Sequence, residues 1–313
     1  MRSFLLDLLI CPSCLPAEIP FIARVYKQTP EDIIEADLYC KRCENIYPVR
    51  SGVARLLPHK QDKTSKISEK YETETILSSY LWAHYGDLWG DELATDAYRI
   101  WSELVSSSSG LCIDAGCAVG RLSFEVCSKC EQVVGVDASE KFIQTARSLM
   151  LGREIHVSVP IEGHICEERI FRLPDSWQCS GLDFIVADVE ALPFASGVAS
   201  VFVSLNLLDK VPYPLRHISE MDRITKLDGA QCVFSDPFSW SEEIARPQDW
   251  LGGTREGPFS GRGLDNLQRI LNGEDEIVQV PWTVEKRGSI WWKLRNHENH
   301  FELIRSCYIK ARR

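Results

Sequence analysis

Apolar positions along this chain fall into short runs and helical repeats, and the change from one to the other marks its elements. Leu111-Cys112-Ile113 is a brief apolar run bounded by Gly110, and Leu122, Phe124 and Val126 follow in a stretch free of Gly and Pro. That order predicts strand, turn, helix, with residues 114–120, Asp-Ala-Gly-Cys-Ala-Val-Gly, as the turn. Gln132-Val133-Val134-Gly135-Val136-Asp137 is a second apolar run ending in an acid. Ser139 then caps a helix whose Phe142, Ala146 and Leu149 recur on one side. Further strands are predicted from Asp183 to Ala187 and from Val201 to Leu205, each running into polar residues. The long connection from Gly152 to Gly181 contains the alternating stretch Ile155-His156-Val157-Ser158-Val159-Pro160 and then Glu162-Gly163, which predicts an inserted hairpin. Last strands are expected over Val280–Arg287 and Glu302–Lys310. Strands alternating with helices predict a doubly wound α/β domain with a mostly parallel sheet and a ligand at the carboxyl ends of its strands.

The chemistry of the turn narrows the ligand. Small residues at Gly116, Ala118 and Gly120 let the backbone approach a ligand closely, and the helix that opens there points unpaired N–H groups toward it. A dinucleotide fingerprint would need its third small residue where Arg121 stands, so a nicotinamide site is disfavoured. An acid two positions before the first Gly, and Gly again at the fifth place, resembles the first motif of class I S-adenosylmethionine-dependent methyltransferases. Ala118 stands where that family usually carries Gly.

The resemblance implies a seven-stranded Rossmann-like sheet and S-adenosyl-L-methionine as cofactor. On that pattern Asp114 meets the ammonium of the methionine end beside Gly116, Ala118 and Gly120. Asp137 with Ala138 meets the ribose, and Asp188 with Val189 the adenine. Asn206 borders the cofactor and, with Asp209, becomes the catalytic candidate that orients the acceptor. Read without the resemblance, Asn206 is equally a loop cap and Asp209 a solvated turn residue. Residues 71–105 carry Tyr and Trp on helical segments, a pattern typical of a core. Because helices before the first strand commonly cover the cleft in this family, Tyr80, Tyr85 and Trp89 join the substrate list.

Two Cys-x-x-Cys units near the front, Cys11-Pro12-Ser13-Cys14 and Cys40-Lys41-Arg42-Cys43, have the spacing of paired knuckles that present four thiolates to Zn²⁺. A redox reading explains one pair and leaves the other without a role. So short a segment has too few apolar residues to fold without help, and metal binding would supply much of its stability. Residues 5–14 and 40–58 are similar to the small zinc-ribbon proteins that activate tRNA, ribosomal and release-factor methyltransferases. That similarity implies a scaffold role, with the ribbon packing on the catalytic domain in cis or on a partner protein.

Residues 59–70 are polar and without apolar period, which sets expected boundaries of a zinc-ribbon domain at 1–60, a linker at 61–70 and a methyltransferase domain at 71–313. The hairpin, Gly116–Arg121, Asn206-Leu207-Leu208, Ser235–Glu243 and Asp249–Gly253 together resemble the methyltransferase domain of ovothiol synthases, which methylates a ring nitrogen of a mercaptohistidine. That resemblance implies a small-molecule acceptor of amino-acid type, with Trp240 and Trp250 as apolar walls.

Charge and composition limit the partners. The 313 residues carry a formal net charge of −10, and 44% of them are hydrophobic, enough for a packed core. Residues 1–60 hold 8 Lys/Arg against 7 Asp/Glu, which leaves 27 against 38 for the remainder. An acidic catalytic part argues against a nucleic-acid substrate, where a basic face would be needed. Asp7 interrupts the apolar N-terminus and no stretch approaches 18 apolar residues, so neither a secretion signal nor a membrane span is expected, and a cytoplasmic location follows. Two other function classes stay open: a scaffold that has lost catalysis, and a methyltransferase for tRNA or protein.

Overall fold

The run Cys130–Asp137 becomes an interior strand because sheet neighbours flank it and helices cover it, as its buried Val133, Val134 and Val136 require. The structure, a computed structural model, describes residues 1–59, 71–177 and 180–313. The expected linker at 61–70 lies outside the described residues. In chain order the strands and helices are β1 (Phe21–Gln28), β2 (Ile33–Cys40), β3 (Ile46–Arg50), β4 (Val53–Leu56), α1 (Glu74–Tyr85), α2 (Ala97–Leu104) and β5 (Ser108–Ala115). They continue through α3 (Arg121–Val126), β6 (Cys130–Asp137), α4 (Glu140–Gly152), β7 (Glu154–Glu162), β8 (Ile165–Arg172) and β9 (Leu182–Ala187). The last are β10 (Ala199–Leu205), α5 (Pro214–Ile224), β11 (Gln231–Asp236), α6 (Gly263–Leu271), β12 (Thr283–His297) and β13 (His300–Arg312).

One sheet of eleven strands, in the order β1-β2-β3-β4-β9-β6-β5-β10-β11-β13-β12, replaces the seven expected. The excess has a simple origin. The four front strands form an antiparallel meander whose last member, β4, pairs in parallel with β9 through Arg55↔Val186 and Leu56↔Ala187. The remaining seven strands come from residues 108–312, and β4, β9, β6, β5, β10 and β11 are mutually parallel. The fold is thus a doubly wound, mostly parallel α/β sheet with the cysteine-bearing segment built into its edge. The predicted hairpin forms as a separate pair, β7–β8, with Gly163 at φ +58° in its turn. The last two strands extend beyond their predicted limits because they pair with each other over nearly their whole length.

Polar contacts fasten the front segment to the larger part. Arg147 of α4, almost wholly buried, donates to Asp32 beside β2 at 2.9 Å and to Asp183 of β9. The Arg2 amide donates to the other Asp183 oxygen at 2.6 Å, and the Ile10 amide to the Pro193 carbonyl at 2.9 Å. No described helix is long and apolar enough to cross a membrane.

Candidate functional site

The turn after β5 adopts left-handed backbone at Gly116 (φ +76°), Ala118 (φ +45°) and Gly120 (φ +84°). Its N–H groups are mostly spent inside the protein. Gly116 and Cys117 donate to the Val136 carbonyl at 2.8 and 3.0 Å, Ala118 to Asp137 Oδ2 at 2.9 Å, and Gly120 to the Cys117 carbonyl at 2.9 Å. These four loop N–H groups are therefore spent before the helix Arg121–Val126, whose first amides are the ones expected to face a ligand. Gly120 also serves packing: a Cβ there would lie 2.7 Å from the Phe184 ring, and one at Gly116 would lie 2.9 Å from Leu207. Arg121, buried at the start of the six-residue α3, ties the loop to α1. It donates to the His84 carbonyl at 2.6 Å and to both Asp87 oxygens at 2.7 and 3.0 Å.

Three predicted acids sit at the carboxyl ends of adjacent parallel strands. Asp114 is near the end of β5, Asp137 is the last residue of β6, and Asp188 follows β9. Register places Asp114 beside Gly135 and Asp137 beside Val186, one strand spacing apart. Asp114 is buried, and Ser123 Oγ donates to it at 2.6 Å. Burial raises its carboxyl to about 7, opposed by the Ser123 hydrogen bond. Asp137 is half-buried, with one oxygen accepting from Ala118 N–H and the other from Ser139 N–H at 2.9 Å each. A carboxylate offers about four acceptor directions, so capacity for a hydroxyl donor remains. Burial raises this carboxyl to about 6. Ala138 is exposed beside it. Asp188 is half-buried, its Oδ1 accepting from Glu190 N–H at 2.8 Å, while Val189 is buried and its carbonyl lies 3.2 Å from His217 Nδ1.

The other end of the crevice holds a second acidic pair that sequence reasoning only half identified. Asp209 and Asp236, each 1% exposed, lie beyond β10 and at the end of β11, with the Asp209 amide 3.4 Å from Asp236 Oδ2. Asp209 Oδ2 accepts from Ser239 N–H at 2.7 Å, and the Lys210 ammonium is 3.0 Å from Oδ1, off the line of a hydrogen bond. Burial and then Asp209 hold the Asp236 carboxyl well above the usual carboxylate range. The solvated-turn reading of Asp209 is thereby excluded. Asp236 was legible as an acid closing an apolar run, Gln231–Ser235, the same signal that picked out Asp137. Asn206 takes left-handed backbone (φ +55°), and its side-chain oxygen accepts from the buried Ser306 hydroxyl.

The five aromatic candidates separate. Tyr85 is wholly buried, and its hydroxyl donates to the Val119 carbonyl at 2.7 Å, so it supports the loop from behind instead of lining the substrate cleft. Trp89 is half-buried, 5.9 Å from the Phe171 ring of β8. Trp240 and Trp250 stack at 6.3 Å, and Trp240 directly follows the Ser239 amide held by Asp209. Tyr80 packs at 4.9 Å from Phe142, and Tyr71, missed in the sequence, packs on both. Two surface depressions, of about 740 and 340 Å³, lie elsewhere, the first between Asp87 and Trp291 and the second between Pro247 and Phe259. Only the smaller touches a candidate, Trp250. The first has the greater volume but no loop residue, so strand-end geometry locates the site better than concavity.

The cysteine motifs converge as spaced. The sulfurs of Cys11, Cys14, Cys40 and Cys43 all lie within 4.8 Å of one another, with Cys11–Cys43 at 3.6 Å and Cys14–Cys40 at 3.7 Å. A tetrahedral thiolate centre with bonds of ~2.3 Å has edges of about 3.8 Å, so the set fits a metal of zinc's size. The Tyr47 hydroxyl lies 3.3 Å from Cys11 Sγ and donates to Ser13 Oγ at 2.7 Å, bracing the first knuckle.

Residues 113–233 match a family described as a methyltransferase domain. That span runs from β5 to β11 and contains Asp114, Asp137, Asp188, Asn206 and Asp209. Among solved structures, the chain is similar to an S-adenosylmethionine-dependent methyltransferase from Methanosarcina mazei, at 18% identity and TM-score 0.42, over 69% of this chain and 98% of that one. It is also similar to the magnesium protoporphyrin IX methyltransferase of Synechocystis with bound S-adenosylmethionine, at 14% identity and TM-score 0.41, over 77% of this chain and 98% of that one. No curated protein matches.

Proposed function

We propose that this chain is a class I S-adenosylmethionine-dependent methyltransferase acting on a small molecule, stiffened by a zinc ribbon in cis. The observation that carries the reading is Asp137, a strand-end carboxylate with acceptor capacity left for a hydroxyl donor, within the span that matches the methyltransferase family. It binds the ribose hydroxyls. Asp114, closed off beneath the loop, attracts the ammonium end by its charge and not by direct exposure. Asp188 and Val189 border the adenine, and Leu207 over Gly116 covers the middle of the crevice.

When bound, S-adenosyl-L-methionine supplies an electrophilic methyl group on a sulfonium. The chain's own residues hold the acceptor in line and keep water out. Asp209 and Asp236 lie at the acceptor end, where a buried carboxylate receives an N–H donor and takes up the proton released when that nitrogen is methylated. Asn206 orients the acceptor, and Trp240 and Trp250 form its apolar wall. An amino-acid-derived nitrogen, such as the imidazole of a mercaptohistidine, suits these groups. Cys11, Cys14, Cys40 and Cys43 hold Zn²⁺, remote from the reaction, and the location we expect is cytoplasmic.

Calorimetry with S-adenosylhomocysteine tests this reading. Asp137→Ala is expected to weaken binding at least about tenfold, the scale of one lost charge-assisted hydrogen-bonding group, with the fold intact. Unchanged affinity removes Asp137 from the site. Absence of binding by the parent chain favours the non-catalytic scaffold.

A further inference from the structure

The segment Tyr71–Thr73, just before α1, is fastened to the start of α4, directly after Asp137 and Ala138. Ser139 Oγ donates to the Tyr71 carbonyl at 3.4 Å. The two Glu72 carboxylate oxygens accept from the Glu140 and Lys141 amides at 3.0 and 3.1 Å. Lys141 Nζ reaches the Glu72 carbonyl at 3.4 Å and the Glu74 carboxylate at 2.5 Å. Glu72 therefore satisfies two of the amides that a helix start leaves unpaired, complementing the Ser139 cap on Phe142. These anchors immediately follow Asp137 and Ala138.

Tyr71 itself is half-buried, its ring 5.9 Å from Phe142 and 6.0 Å from Tyr80. The bonds of this segment to Ser139, Glu140 and Lys141 set Tyr71 next to Asp137 and Ala138, the proposed ribose end. We propose that Tyr71 and Glu72 form a strap that retains the nucleoside: Tyr71 covers the ribose end beside Asp137, and Glu72 holds it there by capping α4. The inference rests on reading the crevice as the cofactor site. Tyr71 touches the ligand, and Glu72 is a positioning residue that acts through Tyr71. The Glu72 side chain is exposed, so water can replace its caps and the strap can open without disturbing the core.

Binding kinetics of S-adenosylhomocysteine on the metal-loaded full chain test the strap. Glu72→Ala and Tyr71→Ala are each expected to raise the dissociation rate about tenfold while changing association less than about threefold, the division expected when a closing contact is lost. Glu72→Gln keeps an amide oxygen for one of the two N–H groups and should recover part of the loss. The unfolding midpoint of ligand-free Glu72→Ala should stay within about 2 °C of the parent, because the side chain is exposed. Parent-like dissociation in both alanine variants overturns the strap while leaving the cofactor site standing. Dissociation raised equally by Glu72→Ala and Glu72→Gln, with no recovery, overturns the capping role of Glu72. Failure of the parent to bind the nucleoside removes the reading on which the strap depends, and the strap with it.

Discussion

Asp137 and Asp114 pair a functional geometry with an electrostatic cost. Burial raises their carboxyls to about 6 and about 7, above the unfolded carboxyl value of about 4. For such groups the folded state binds more protons than the unfolded state across this interval. Their contribution to stability is therefore fully present below about pH 4 and is lost as pH rises through about 6 to 7. Ligand binding has the opposite sign, since an ammonium and hydroxyl donors both prefer the ionised carboxylates. Affinity for S-adenosylhomocysteine is thus expected to rise between pH 5.5 and 7.5, as calorimetry in buffers spanning about that range would record. In Asp137→Asn the rise should shrink to the part that belongs to Asp114, whose carboxyl loses the upward push of the Asp137 charge. A flat or falling profile in the parent chain contradicts these roles.

At the scale of elements, the front segment is held by side chains as well as by strand pairing. Arg147 on α4 bridges Asp32 beside β2 and Asp183 in β9, and all three are nearly or wholly buried. Replacing Arg147 with Met leaves buried Asp183 without its cation and Asp32 with only the Met1 ammonium at 3.4 Å, a change of a kind that typically costs about 3–5 kcal/mol. Urea unfolding of Arg147→Met should register that loss, and one below about 1 kcal/mol would show that strand pairing alone holds the joint. This joint was the least legible part of the sequence. Asp32, Arg147 and Asp183 are 115 and 36 residues apart along the chain, and no local pattern pairs them. The strands β5, β6, β9 and β10 were legible because each is a bounded apolar run, and the hairpin because Ile155–Pro160 alternates. Asp137 announced itself by ending such a run. Glu72 and Tyr71 gave no comparable signal, since their roles arise from where α4 begins in space. A second demand on Gly120 was hidden for a related reason: its small size also serves Phe184, a contact made across 64 residues of chain.

For the whole molecule, continuity of the sheet through β4 and β9 makes the four-cysteine cluster part of the same structure as the crevice. The Ile10 amide, next to Cys11, holds the Pro193 carbonyl at the far end of the loop that carries Asp188. Stripping zinc with a chelator, or changing Cys40 to Ser, is therefore expected to lower the unfolding midpoint of the entire chain in one transition, with loss of bound zinc. A separate low-temperature transition, with the rest of the chain unaffected, would show the two parts to be independent. The central claim concerns the crevice at the ends of β5, β6 and β9, and one measurement reaches it directly. Calorimetric titration of the zinc-loaded chain with S-adenosyl-L-methionine should give saturable binding at one site per chain, weakened in Asp137→Ala. No detectable heat or protection at millimolar ligand, in folded and metal-loaded protein, would contradict it.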